Sequence, residues 1–285
     1  MSLDFDVFVV GPKPIPSAVP GFEEAVGPAT WPPSTSTLIG DDEGTLLVDC
    51  LITVREGREL AEWVRSHDRE PDHVYITHPH ADHFLGLSEI LAAFPRARPV
   101  ALADSVSAMR EQISPGYLKV WGGFFPGELT GEPVAPGPLA GTTLPIGAAT
   151  ATVIPVGTTD TGHSSVVHVP ELSLVVSGDV VYNRTHMWLA GSTPDSRASW
   201  ARALDTVAAL AADTLIAGHR DPSAPDDDAR RQIDESRRYL ADFETALARS
   251  SAPAELIDRL TAAYPDLANP YTLWVAAHDL LGTGA

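Results

Sequence analysis

Between Thr77 and Gly86 the chain reads Thr-His-Pro-His-Ala-Asp-His-Phe-Leu-Gly, which places His78, His80, Asp82 and His83 within six residues. Imidazole and carboxylate side chains together suit Zn²⁺ and related divalent ions. His78 and His80 are two apart on an extended loop and can point the same way. Asp82 and His83 lie past the turn and are better placed to face a second ion. Three further residues of ligand type follow: His163 after the turn Gly157–Gly162, Asp179 in Ser-Gly-Asp, and His219 in Ala-Gly-His. Each stands just after a β-like run and beside glycine, which turns sharply and lets a ligand approach without a Cβ in the way.

The elements that must carry these residues are legible in the pattern. Asp72 to Thr77 alternates and is rich in Val, Tyr and Ile, so it predicts a strand, and His83 to Phe94 has apolar residues at helical spacing. The first cluster therefore sits where a strand ends and a helix begins, the place where open α/β sheets carry their chemistry. Upstream, Asp4 to Val10 reads as a strand, and Ser34 to Ile39 and Thr45 to Cys50 as a hairpin around Asp41–Gly44. Thr53 to Ser66 predicts an amphipathic helix and Arg98 to Leu102 another strand, so residues 45 to 102 have a βαβ rhythm that argues for an α/β chain. Asp104 to Gln112 reads as a helix capped by Asp104.

Beyond residue 142 strands dominate: two around Gly147, then Ser165 to Val169 and Leu172 to Ser177 as a hairpin, and Thr214 to Ala217, which delivers His219. The expected fold is two stacked sheets flanked by helices. Ser196 to Ala212 predicts a helix with Ser196 as its cap, and three more follow from Asp228, Ala254 and Pro270, the last with Asn269 as its cap. The aspartates 226 to 228 are best explained by charge complementing a helix N-terminus. We expect a single domain over residues 1–285, with an insertion at about 114–141 and a helical C-terminal segment from about 228 to 285.

With its cluster of His-x-His-x-Asp-His followed by a distant His, Asp and His, the chain resembles the metallo-β-lactamase superfamily over roughly residues 35 to 220. The resemblance implies the αβ/βα fold of that family, two mixed sheets flanked by helices. It also implies a dinuclear centre: His78, His80 and His163 on one metal, Asp82, His83 and His219 on the other, and Asp179 bridging both. Two divalent ions are implied, Zn²⁺ foremost and Fe or Mn as alternatives. A bridging water becomes hydroxide at neutral pH between two such ions and attacks a polarised carbonyl. Asp82 would guide a proton to the leaving group. By the same resemblance Asp49, at the end of its strand, supports the metal loop from behind; its residue type and place would equally cap the helix that follows. Tyr182 stands three residues after Asp179, the offset at which quorum-quenching lactonases of this superfamily carry a tyrosine that holds the substrate carbonyl. A core tyrosine at a sheet edge is the other reading of that position.

Substrate walls are expected from aromatic residues near these loops. Trp31 lies on a proline-rich stretch, and Trp121, Phe124 and Phe125 lie in the Gly- and Pro-rich segment from Ser114 to Gly141, which is too long for a neutral connection. His186 and Trp188 follow Asp179 and are further candidates. His67, His73, His168 and His278 read as ordinary surface or structural histidines.

Composition narrows the function. At 285 residues and 44% hydrophobic the chain supports a large core, and no apolar run is long enough to span a membrane. A formal net charge of -19 disfavours nucleic-acid substrates. Met1 to Val10 shows no signal-peptide pattern, so a cytoplasmic location is expected. Cys50 is the single cysteine and reads as a small buried residue. The expected partner is a small molecule, with no nucleic acid and no membrane, and a homodimer is allowed. We therefore expect a dinuclear hydrolase that opens an ester-type bond, foremost a lactone or carboxylic ester of a small, largely apolar substrate. The alternatives are a glyoxalase-type thioesterase, an iron-dependent persulfide dioxygenase, and a binding protein of the same fold without turnover.

Overall fold

The computed structural model describes residues 2–282. Residue 1 and residues 283–285, the ends of the expected domain and C-terminal segment, lie outside the described residues. The chain opens with β1 (Asp4–Val10), followed by a small ribbon of β2 (Lys13–Pro14) and β3 (Thr30–Trp31) around the short helix α1 (Phe22–Ala25). The hairpin β4 (Ser34–Gly40) and β5 (Thr45–Val48) comes next, then α2 (Val54–Ser66), β6 (His73–Ile76), α3 (Leu87–Ala93), β7 (Arg98–Ala101), α4 (Ala103–Gln112), α5 (Pro115–Phe124) and β8 (Gly137–Pro138). These strands form one sheet in the order β1-β4-β5-β6-β7-β8, antiparallel through β5 and parallel from β5 onward. The parallel half is the βαβ rhythm of residues 45 to 102.

The second sheet is built from β9 (Thr143–Ile146), β10 (Ala149–Gly157), β11 (Ser164–Val169), β12 (Leu174–Gly178) and β13 (Thr214–Ala217), in the order β13-β12-β11-β10-β9. The helix α6 (Pro194–Ala208) makes the crossover that lets β13 pair parallel to β12. Three helices close the chain: α7 (Ala229–Leu247), α8 (Pro253–Ala263) and α9 (Pro270–Leu281). Among the described residues no helix is long and apolar enough to cross a membrane.

Three apolar clusters hold the layers. Ile39, Leu46, Val48 and Tyr75 meet Val153, Val167, Val176 and Ile216 between the sheets. Leu47, Val74 and Ile76 meet Leu60, Val64 and Ile90 on the outer face of the first sheet. Val166, Val175 and Leu215 meet Trp200, Leu204, Ile233 and Phe243 on the outer face of the second. Alternation along each central strand thus splits its residues between two cores, giving a helix–sheet–sheet–helix stack as expected.

Several helix boundaries differ from expectation for local reasons. The segment 83–94 does not run as one helix. A 3₁₀ turn covers Ala81–His83, and α3 starts after Gly86. Gly86 packs so closely on the Cys50 carbonyl that a Cβ there has no room. Thr53 caps α2 through a capping box with Glu56, so Asp49 does not cap it. Thr193, not Ser196, caps α6; Ser196 sits at the third helical position and returns the bond. Asp104 lies inside α4, which has no side-chain cap. Asn269 precedes α9 with a left-handed backbone and bonds Thr272 Oγ1 from its amide, at 2.6 Å, rather than capping the helix. Asp228 does cap α7, accepting from the Arg231 N–H at 2.9 Å.

Candidate metal centre

The donors converge at one edge of the sandwich, where loops after β6, β10, β12 and β13 meet. Seven residues fall into two groups: His78, His80, Asp160 and Asp179, and beside them Asp82, His83 and His219. In each group the potential ligand atoms lie within 4.8 Å of one another. Asp179 joins the groups. One of its oxygens is 3.3 Å from His83 Nε2, and the other is 3.2 Å from His219 Nε2 and 3.9 Å from His78 Nε2.

His163 does not join them. It is exposed, has a left-handed backbone (φ 62°), and meets Ser105 Oγ only through its carbonyl. The residue that reaches the first group is Asp160, three positions earlier. β10 ends at Gly157 after a bulge, and the tight turn that follows brings residue 160 inward and carries 163 out. Thr159 Oγ1 donates to Asp160 Oδ1 at 2.7 Å and fixes the carboxylate. Its Oδ2 is left facing His80 Nδ1 at 2.7 Å and His78 Nε2 at 3.6 Å. The sequence held a signal for this residue, since an aspartate after a strand and before a Gly-His turn is as good a ligand type as the histidine beyond it.

Three imidazoles have their outer nitrogen engaged and their inner nitrogen turned to the centre. His83 Nδ1 is 2.9 Å from Asp49 Oδ2, His219 Nδ1 is 3.0 Å from the Pro33 carbonyl, and His78 Nδ1 is 3.0 Å from Thr77 Oγ1. These bonds fix the rings with Nε2 inward, as the partners of metal-binding histidines do. Asp49 also accepts from the Thr77 N–H at 2.9 Å and from its hydroxyl at 2.8 Å, so one carboxylate orders the loop behind both His78 and His83. The second sheet is tied to that loop by Ser165, whose N–H and hydroxyl both donate to the Thr77 carbonyl.

The glycines beside the ligands are where space is tightest. Gly178 has φ 50°, and a Cβ there would press on the Thr77 side chain. A Cβ at Gly218 would collide with Asp179 Oδ1 and come within 2.8 Å of His83 Cε1.

The fit of these residues to a metal shows in their unsatisfied atoms. His78 Nε2, His83 Nε2, Asp160 Oδ2 and Asp179 Oδ1 are buried and make no hydrogen bond of acceptable geometry. Buried polar atoms without partners are costly and rare. Four that face one small space are accounted for by cations that bind them all. The electrostatics agree. Burial works against every charge here, yet His83 and His219 hold Asp82 below the ordinary carboxylate range. Burial lowers His219, but Asp179 and Asp82 raise it to about 9. The carboxylates thus create a field that draws positive charge into a buried place.

A cavity of about 410 Å³ opens on this centre. Trp31, Trp121, Phe124 and Trp188 line it, together with Tyr182, His80, Asp82, Asp179 and His219. Tyr117, an aromatic of the Gly- and Pro-rich segment like Trp121 and Phe124, also lines it; Val120 of α5 and Val275 and Asp279 of α9 add to the walls, and no pattern along the chain singles those three out. Trp31 also donates from Nε1 to Asp82 Oδ2 at 2.9 Å, a bond between residues 51 apart in sequence. Two candidates do not face the cavity. Phe125 is buried behind Trp31, with ring centroids 5.7 Å apart. His186 is buried on the far side with its Nδ1 2.8 Å from Tyr239 Oη, and burial lowers its pKa to about 4. Tyr182 faces the cavity and donates its hydroxyl to Asp179 Oδ2 at 2.9 Å.

Residues 29–219 match the model of the metallo-beta-lactamase superfamily. A comparison with curated proteins found no match. Among solved structures the fold is similar to a metallo-beta-lactamase from Pontibacter korlensis, at 19% identity and TM-score 0.59 over 84% of this chain and 99% of that one. It is also similar to a metallo-beta-lactamase family protein from Thermus thermophilus, at 17% identity and TM-score 0.64 over 97% and 92% of the two chains. The mono-zinc form of the metallo-beta-lactamase FIM-1 from Pseudomonas aeruginosa aligns at 18% identity and TM-score 0.57 over 84% and 91%. With two sheets between helix layers, metal-ligand groups at their shared edge, and a family match over most of its length, this chain belongs to the metallo-beta-lactamase superfamily.

Proposed function

We propose that the protein is a dinuclear metal-dependent hydrolase that opens the ester-type bond of a small, largely apolar, uncharged substrate, a lactone or a carboxylic ester. The observation that carries this reading is the joining of the donor cluster to a cavity with an aromatic wall and no lysine or arginine among its lining residues. Divalent cations supply Lewis acidity and activate water at neutral pH. The protein's own residues do the rest. Trp31, Trp121, Phe124 and Trp188 take the apolar body of the substrate and exclude bulk water. Tyr182, whose pKa burial and Asp179 raise well above the ordinary phenol value, keeps its proton and, on turning from Asp179 Oδ2, offers it as a hydrogen bond to a substrate oxygen. Asp82, whose Oδ2 accepts the Trp31 N–H, passes a proton to the leaving group in this reading. With no lysine or arginine in its wall, the cavity gives a substrate carboxylate no cationic side chain to pair with, which favours neutral substrates.

The test is a panel of neutral lactones, aryl esters and thioesters, each paired with a carboxylate-bearing analogue, assayed with metal-loaded protein. We expect turnover on neutral lactones or esters, and Tyr182→Phe to lower kcat at least about tenfold with metal content unchanged. Absence of turnover across the panel by fully loaded protein would overturn the hydrolase reading and leave an iron-dependent dioxygenase or a binding protein of this fold.

A further inference from the structure

The first metal group departs from the ligand set that the family resemblance implies, because a carboxylate stands where a third imidazole is expected. This changes the character of the whole centre. His78, His80 and Asp160 on one side and His83, His219 and Asp82 on the other each give two imidazoles and one carboxylate, with Asp179 shared between them. The two halves therefore have the same donor composition, and the centre carries three carboxylates where a histidine at 160 would leave two.

Asp160 is built for this position rather than present by accident. Its side chain is fully buried. One oxygen is held by the Thr159 hydroxyl, which is itself 2.7 Å from Ser164 Oγ, and the other is unsatisfied and faces His78 and His80. Its backbone lies in the turn that follows the register shift between Pro155 and Gly157 in β10. His163, which could have supplied the imidazole, is exposed to solvent.

We propose that Asp160 shifts the relative affinity of the His78–His80–Asp160–Asp179 site away from Zn²⁺ and toward an oxygen-preferring divalent ion, Mn²⁺ or Fe²⁺. Carboxylate oxygen favours the harder ions of the first row, whereas imidazole favours zinc. The inherent order of affinities still ranks zinc above manganese and iron, so the effect of Asp160 is to narrow that gap. The extra negative charge also offsets more of the positive charge of the bound pair. The proposal rests on the metal-dependent reading of the site, but it concerns which ion is held and not which bond is cleaved.

The experiment is a competition read by metal content. Metal-free full-length protein, prepared with a chelator, is equilibrated without oxygen against buffered Zn²⁺ with Mn²⁺, and separately Zn²⁺ with Fe²⁺, and bound metals are counted by elemental analysis. Wild type is compared with Asp160→His and with Asp160→Asn, which keeps the shape and removes the charge. We expect the bound Mn:Zn and Fe:Zn ratios to fall about tenfold or more in Asp160→His, a scale typical of single changes around metal sites. Asp160→Asn should lower both ratios as well, and it answers the question if the histidine fails to fold. The two arms show whether the preference is for manganese or iron. Ratios equal to wild type in a folded variant would overturn the proposal. A hydrolase reading that failed in the substrate panel would leave these ratios unchanged, so the two ideas stand or fall separately.

Discussion

Gly218 lies between Ala217, the last residue of β13, and His219, and its hydrogen atoms face the narrow space between the two metal groups. Replacing it with alanine adds one carbon. That carbon would collide with Asp179 Oδ1 and lie 2.8 Å from His83 Cε1 and 2.9 Å from the Gly178 carbonyl carbon. None of these neighbours gives way easily. Asp179 and His83 are each 2% exposed or less, His83 is tied to Asp49, and the third is backbone. Overpacking of this kind costs about 1–3 kcal/mol. At roughly 2 °C per kcal/mol for a chain of this size, the metal-free protein should lose about 2–6 °C in Tm. The larger effect should fall on the metal, because the clash displaces the bridging carboxylate and a ring of the second group together. We expect metal affinity to fall at least about tenfold. The assay is thermal unfolding of metal-free and loaded protein together with metal titration. Gly162→Ala is the control, since a Cβ there meets nothing within 4 Å. If Gly218→Ala bound metal as tightly as wild type, the placement of Asp179 and His83 around that glycine would be wrong.

Other consequences can be checked alongside. Asp49→Asn turns an acceptor of three hydrogen bonds into a group that must donate with one end, and should weaken metal binding by about 10–100-fold while the fold persists; a titration of metal into the folded variant measures this. The buried Lys13 ammonium sits 3.1 Å from the fully buried Glu56 carboxylate, so Lys13→Met should cost about 3–5 kcal/mol in urea unfolding and Lys13→Met with Glu56→Leu should cost less than the single change, apart from the lost α2 cap. His186 is buried neutral with its pKa lowered to about 4, below its ordinary value of 6.5, so the unfolded chain binds the extra proton first. Stability from this group is present above pH 6.5 and lost as pH falls from 6.5 toward 4, by about 3 kcal/mol in all. His186→Gln should flatten the fall over that window in denaturant titrations, and an identical slope in wild type and variant would refute it.

The sequence alone determined the layers and most of the chemistry. Alternating strands, the βαβ rhythm of residues 45 to 102 and the glycines next to ligands follow from local constraints, since burial on a sheet face imposes a period of two and a close approach excludes Cβ. Placement of His78, His80, Asp82 and His83 together was legible because they are neighbours on one loop. The tertiary structure alone decided which residue after β10 turns inward. Residues 158 to 163 lie between β10 and β11 in no strand, so no period of two reports which of their side chains faces the centre. So Asp160 takes a place that the sequence pattern offered equally to His163. The same limit applies to the cavity. Trp31 reaches Asp82 across 51 residues and α5 and α9 supply wall residues from distant parts of the chain, whereas His186, close to Asp179 in sequence, is carried behind the sheet to Tyr239. Nearness in sequence fixes a loop's donors, but which distant side chains share a pocket depends on how the helices pack over the sheet edge.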